Sequence, residues 1–426
     1  MNTETLLNEL NLLVGSDHLH LHTSTSEIAL PPSWSTPPLA VILPGAVDEV
    51  VSVVRATEEA GVALLPCGGA TQLHTGFPPR PDTPYLLLRT TRLNRILAYE
   101  PDDLTVTCEP GVTLAQLQNA LSEHRQQVAL DVALLELATL GGIVSTNASG
   151  FWRPTYGTPR DLLIGVHAVM TGGERVKGGG RVVKNVAGYD LCKLFTGAWG
   201  TLGILTELTF KVRPQPETSR TLVWEAPDLT TAARIGLSLH HTRLAAAFVL
   251  ATNEHRGQPE LILGLQGTEA RVAWQAEEFS RLSREAGLSG SPADLPESEL
   301  NALLNRQART ESDALLAARV ACLPTELPDF LTRLDALPPL AMTAHCATGV
   351  LSLAANESDP ALVHLIDALK PKGANRVWTR IEAELVERDN IALWGEARED
   401  FALQRGIKQA LDPKGTFSPG RFFGKL

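Results

Sequence analysis

The spacing of apolar positions divides the chain into two stretches of different character. In Val47-Asp-Glu-Val-Val-Ser-Val-Val54, the valines at 47, 50, 51 and 54 recur at the interval of one helix face. Gly61 supplies the stop. Val62–Leu65 is a short apolar run of buried-strand type, and Tyr85–Arg89 and Leu104–Glu109 also read as strands. Pro110–Thr113 leads into a helix with Leu114, Leu117 and Leu121 on one face. Thr171-Gly-Gly173 marks a hairpin. Arg213-Pro-Gln-Pro216 is the expected boundary. Beyond it the pattern predicts strands at Leu222–Glu225, Ala246–Thr252, Glu260–Gln266, Leu316–Cys322, Ala341–His345 and Leu351–Ala355. Helices are expected near 229–241, 268–286, 297–309, 324–336 and 359–370. The expected architecture of this part is an α+β cap, an antiparallel sheet with helices on one face. The domain expectation is 1–215, 216–405 and a C-terminal segment, 406–426, that returns to the first domain.

Glycine clusters mark the first part. The longest runs from Ala138 through Thr139, Gly141, Gly142, Ser145 and Asn147 to Gly150, continues in Tyr156–Asp161 and ends in Gly200–Glu207. Backbone without Cβ atoms can approach a large planar or phosphorylated ligand closely. Pro66-Cys-Gly-Gly-Ala-Thr-Gln72 follows a strand directly, and its N–H groups suit a diphosphate cradle. No Gly-x-Gly-x-x-Gly joins a strand to a helix, which argues against a Rossmann dinucleotide site.

A net charge of −11 argues against a nucleic-acid-binding surface. The acidic start Met1–Leu10 has no basic secretory n-region, and no apolar run approaches the about 18 residues of a membrane span. The expected location is cytoplasmic, with peripheral membrane attachment through partners left open. Cys67, Cys108, Cys192, Cys322 and Cys346 are scattered, which suits free thiols and places any iron–sulfur relay in another chain. His18, His20 and His22 would share one face of a strand, a polar surface or a metal site.

The ordered set of segments resembles the vanillyl-alcohol-oxidase, PCMH-type FAD-binding flavoproteins. These are Pro66–Gln72, Ala138–Gly150, Asn185-Val-Ala-Gly-Tyr-Asp-Leu191, Gly200–Glu207 and Asp412-Pro-Lys-Gly-Thr-Phe-Ser-Pro-Gly-Arg421. Within that family the likeness is to the second FAD-binding subunit of bacterial glycolate oxidase, dense over 40–215 and the tail. The resemblance implies a two-lobed FAD-binding domain beneath the α+β cap. It assigns the diphosphate to Pro66, Cys67, Gly68, Gly69, Ala70, Thr71 and Gln72. It lines the cofactor with Ala138, Thr139, Gly141, Gly142, Ser145, Asn147 and Gly150. Gly200, Thr201, Gly203 and Ile204 would approach through backbone, and Arg421 would sit near the flavin.

Three departures shape the functional expectation. Some relatives bind FAD covalently through a histidine in the diphosphate loop; Ala70 stands there, so non-covalent FAD is expected. The related 2-hydroxy acid dehydrogenases carry His-x-Gly-Asp-Gly-Asn-Leu-His, whereas this chain reads His345-Cys-Ala-Thr-Gly-Val-Leu-Ser352. Too few ligands remain for a divalent metal, and no metal is expected. Trp199 replaces a glutamate in the relatives' Gly-Ser-Glu-Gly-Thr-Leu-Gly. Oxidising a 2-hydroxy acid needs a base, for which His345 is nominated, and a carboxylate partner, for which Arg421 and Arg380 are nominated. The expectation is an oxidoreductase subunit acting on glycolate, D-lactate or a similar acid, assembled with a second flavoprotein subunit and an iron–sulfur subunit. The alternatives are a non-catalytic FAD-binding accessory and a self-sufficient oxidase of another small alcohol or sugar acid.

Overall fold

The computed structural model describes all residues except 1, 22–29, 32, 35, 182–187, 243, 358, 382–385, 387–390 and 397–398. The chain forms two compact units, 1–149 with 157–214 and 397–426, and 150–156 with 215–396.

The first unit holds two principal sheets. One has four strands in the order Leu19–Leu21, Ala40–Ile42, Tyr85–Arg89, Ala63–Cys67. Its last three strands run parallel. Helix Val47–Ala60 covers it and ends at Gly61, whose φ of 66° suits a left-handed cap. Val50, Val51 and Val54 are buried as the spacing predicts. Val53 is buried too, because helix Thr3–Val14 packs against this helix through Leu6 and Leu10. The second sheet is antiparallel, in the order Ile96–Glu100, Thr105–Cys108, Ile204–Lys211, Leu163–Val169, Arg175–Gly179. The last two strands form the expected hairpin through Thr171–Gly173.

The tail is built into the first unit. Helix Phe401–Leu411 leads to a segment that pairs beside strand Ala63–Cys67. Leu64 N–H donates to the Thr416 carbonyl at 2.7 Å, and Ser418 N–H to the Leu64 carbonyl at 2.9 Å. Phe417 is completely buried between them. Lys408 fixes this arrangement. Its Nζ donates to Asp412 Oδ2 at 2.5 Å, the Thr201 carbonyl at 2.7 Å and the Phe417 carbonyl at 2.8 Å. Asp412 also accepts the Thr416 and Phe417 N–H groups. Burial pushes the Lys408 ammonium below its ordinary pKa, and Asp412 opposes that shift.

The second unit is an eight-stranded sheet in the order 293–295, 218–225, 260–267, 248–252, 341–345, 350–355, 316–321, 375–380. Every neighbouring pair is antiparallel. All six expected strands form, five of them within two residues of their predicted ends; the sixth, expected from Leu222, begins four residues earlier at Thr218. Strands Ala293–Leu295 and Asn375–Arg380 are edge additions that the pattern did not mark. The helices are not confined to one face. On helix Leu229–His240, Gly236 meets Val249 and Leu261. Helix Glu297–Asp313 instead packs Leu300 and Leu303 with Leu250 and Ile262, which point the other way.

Breaking a buried ion pair leaves an uncompensated charge. Lys408→Met should therefore destabilise the first unit by about 3–5 kcal/mol in urea unfolding. A loss below about 1 kcal/mol would contradict the assigned burial of Asp412.

Candidate functional site

Three glycine-bearing segments of the first unit form one connected wall. The Pro66–Gln72 loop leaves the carboxyl end of the parallel strand Ala63–Cys67, where ligands gather in sheets of this kind. The backbone at Ala70 is left-handed, with φ of 63°. Gly68 and Gly69 run hard against the next segment. A Cβ on Gly68 would lie 1.9 Å from Thr139 Oγ1, and one on Gly69 would lie 1.7 Å from the Leu137 carbonyl oxygen. Thr139 caps the short helix Leu140–Thr146 by accepting the Gly142 N–H, and Asn147 ends it at φ of 51°. Gly141 N–H donates to the Pro110 carbonyl at 2.8 Å. The third segment closes the wall. Gly197 N–H donates to the Val144 carbonyl at 3.0 Å and Trp199 N–H to the Ser145 carbonyl at 2.8 Å. A Cβ on Gly200 would be 3.4 Å from the Pro66 ring.

Other nominated residues have narrower roles. The Thr201 hydroxyl donates to the Ala198 carbonyl at 2.6 Å, and its own carbonyl receives Lys408. The Ile204 side chain is wholly buried, so only its backbone can face a ligand. Ala138 accepts the Leu114 N–H at 3.0 Å and anchors its segment from behind. Gln72 Oε1 accepts the Thr75 hydroxyl. The Cys67 thiol is pushed up to about 11 by burial and is a packed group. Gly150 falls in the second unit. Of the Asn185–Leu191 motif, residues 185–187 lie outside the described residues.

Arg421 lies at the far end of the Pro66–Gln72 loop. Its Nη2 donates to the carbonyls of Leu73 at 3.1 Å and Thr75 at 3.0 Å, and its guanidinium sits 4.5 Å from the centre of the Trp34 ring. Burial lowers its pKa to about 10, which leaves it cationic at neutral pH. Those contacts make it a clamp between tail and loop. Sequence reasoning passed over a second cation, Arg89. It pairs in register with Cys67 at the carboxyl end of the neighbouring strand. Its Nε is buried without a hydrogen-bond partner among the described residues. The signal was available: an arginine closing a parallel strand beside a Gly-rich loop stands where ligands bind.

The nominated His345 and Arg380 belong to the second unit. His345 ends strand Ala341–His345, is 9% exposed, and lies 5.6 Å from Phe151 ring to ring. Burial, then Arg319 and Arg153, push its pKa down to about 4, so the imidazole is neutral at physiological pH. Arg380 closes the edge strand Asn375–Arg380 opposite Ala317. His18 sits in a short 3₁₀ turn and His20 in strand Leu19–Leu21; His22 lies outside the described residues. No cluster of three or more potential metal ligands occurs among the described residues.

The wall fits an FAD. Among the described residues the buried Asn147 Oδ1 has no hydrogen-bond partner, and neither has the Arg89 Nε. Unmet buried polar atoms beside a glycine loop are groups a polar cofactor can satisfy. Gly69→Val would force the loop off the Leu137 carbonyl. The variant should purify with little or no flavin and lower FAD affinity by at least about tenfold, a difference of about 1.4 kcal/mol. Full flavin content with unchanged affinity would remove this loop from the site.

Comparison with known proteins agrees with the geometry. Residues 38–179 match the family model described as an FAD binding domain. The glycolate oxidase subunit GlcD of Bacillus subtilis is 26% identical, with 92% of this chain and 91% of that protein covered. The glycolate oxidase subunit GlcE of Escherichia coli is 38% identical over 30% of this chain and 37% of its own length. In fold, the structure is similar to substrate-bound p-cresol methylhydroxylase, with a TM-score of 0.77, 16% identity, and coverage of 98% of this chain and 96% of that one. The chain is thus an FAD-dependent oxidoreductase, a flavoprotein with the vanillyl-alcohol-oxidase, PCMH-type FAD-binding fold.

Proposed function

We propose that the chain binds FAD without a covalent bond and oxidises a small 2-hydroxy acid of the glycolate or D-lactate type, as one subunit of a larger assembly. The observation that carries the hydroxy-acid reading is the buried, neutral His345 imidazole, with two guanidinium groups acting on it. A neutral imidazole can accept the substrate hydroxyl proton; a protonated one cannot. Bound FAD supplies the hydride acceptor. The residues of the wall orient it: Gly68 and Gly69 allow the close loop, Asn147 offers an acceptor, and Arg89 offers a cation for the diphosphate. Arg421 and Lys408 hold the loop and the 200–203 segment in place from behind. Ala70, at the position where covalent relatives place a histidine, supports non-covalent attachment.

The partner reading rests on the likeness to glycolate oxidase subunits and on the scattered cysteines, which leave any iron–sulfur relay to another chain. The second reading is an FAD-binding accessory whose substrate is oxidised elsewhere. One feature favours it. Thr348, Val350 and Ser352 stand where the hydroxy-acid dehydrogenases carry an acid, an amide and a second imidazole.

Acid precipitation of the flavoprotein should release all of its FAD into the supernatant; flavin retained on the pellet would refute non-covalent binding. Flavin reduction by glycolate or D-lactate should lose rate only as pH falls towards about 4, where His345 gains its proton. His345→Gln should cut that rate by about 10²–10⁴-fold with flavin content unchanged. An unaltered rate would take the base role away from His345.

A further inference from the structure

We propose that Arg319 and Arg153 form the carboxylate anchor for the anionic substrate beside His345. The inference rests on the 2-hydroxy acid reading and replaces Arg421 and Arg380 as its carboxylate partners.

The placement follows from strand register. Arg319 lies directly opposite Ser352, Ser352 opposite Thr343, and Thr343 opposite Thr252. These residues therefore share one face of the sheet, and His345, two positions beyond Thr343, shares it too. The row is polar inside a domain. Thr343 is fully buried and Ser352 is 4% exposed. The Thr252 and Thr343 hydroxyls lie 2.7 Å apart, and Thr343 Oγ1 donates to Glu254 Oε2 at 2.6 Å. A sheet face that buries polar groups at this density pays for it unless each group is matched. Most are; the cations are not all so.

Arg319 donates Nε and Nη2 to the buried Glu311 at 3.2 and 2.9 Å. That bidentate pairing fixes the guanidinium plane. Its Nη1 has no hydrogen-bond partner among the described residues, and the side chain is 40% exposed. Arg306, whose Nη1 donates to the Glu254 main-chain carbonyl, acts electrostatically on Glu254, the other carboxylate on this strip. Arg153 is exposed and opens the short helix Arg153–Tyr156, two residues after Phe151, whose ring contacts His345. It makes no ion pair or hydrogen bond among the described residues. Both Arg153 and Arg319 act electrostatically on His345. The balance is one cation in excess, held next to a neutral acceptor.

That combination suits a 2-hydroxy acid. A carboxylate is planar and takes parallel N–H donors from a guanidinium that is already oriented. The adjacent hydroxyl then has a neutral imidazole to donate to. A neutral alcohol would leave the excess cation unmet. Arg421 is excluded from this role by its own contacts, since it is committed to the Leu73 and Thr75 carbonyls and to Trp34. Arg380 shares the Arg319 face but lies one row further from His345.

The test is calorimetric titration of the FAD-loaded protein with oxalate, a non-oxidisable dicarboxylate. Arg153→Gln changes an exposed residue. Arg319 is tested in the double variant Arg319→Met, Glu311→Gln, which avoids leaving the buried Glu311 as a lone charge. Each variant should weaken oxalate binding by about ten- to a hundredfold, the loss of a charge-assisted contact, with flavin spectrum and unfolding midpoint unchanged. Wild-type protein that binds no oxalate, or variants that bind it as tightly as wild type, would overturn the anchor. A parallel anaerobic titration with glycolate and D-lactate separates the two ideas. Flavin bleaching with variant-insensitive oxalate binding sinks the anchor and keeps the hydroxy-acid reading. Arginine-dependent oxalate binding without bleaching by any 2-hydroxy acid keeps the anion site and sinks that reading.

Discussion

An ammonium group stripped of water must find oxygen atoms, and Lys408 finds three of them on three different pieces of chain. One is Asp412 on its own helix end, one is Phe417 in the tail, and one is Thr201 in the third glycine segment of the wall. Desolvation makes each contact costly to lose. The pair therefore fixes where the tail enters the sheet beside Leu64 and where the Gly200–Gly203 backbone lies. From that point the other contacts of the wall follow. Gly200 rests on Pro66, Gly68 and Gly69 rest on the 137–139 backbone and Thr139, and Trp199 is tied to Ser145. Arg421 repeats the device at the far end of the tail, with Trp34 and two carbonyls in place of a carboxylate. The glycines make close approach sterically allowed; the buried cations make it the favoured arrangement.

The second unit uses buried charge differently. Its sheet face carries Arg319 and His345 among threonines and a serine, with Glu254 just beyond one strand, and helix Glu297–Asp313 covers part of that face and brings Glu311 to it. Glu254 is raised above its ordinary pKa by burial, with Glu311 adding to the shift. His345 is pushed down by burial and by arginines. Both shifts favour the uncharged form, as burial in a low-dielectric interior requires.

Much of this was legible in the sequence because it rests on short-range rules. The valine spacing at 47–54 gave a helix, Gly61 its end, and the alternation after residue 216 gave six strands of the second sheet. The glycine segments were legible as a set because close backbone approach admits few other residues. What escaped depends on partners far away in the chain. Arg89 gains meaning only from strand Ala63–Cys67 beside it, and Lys408 only from Thr201, 207 residues earlier. Arg421 was nominated for a substrate, yet its Nη2 is taken by two loop carbonyls that no local pattern could pair with it. Arg319 looked like one arginine in an apolar strand; its register opposite Ser352 and its bond to Glu311 set it apart.

The most direct measurement is an anaerobic titration of the purified, FAD-loaded chain with a panel of 2-hydroxy acids, followed through the visible flavin band, alone and with any subunits that co-purify with it. The account predicts that a short-chain acid bleaches the bound flavin and that neutral alcohols of the same size do not. A protein that takes up no FAD, or a bound flavin that no 2-hydroxy acid reduces in either setting, would contradict it.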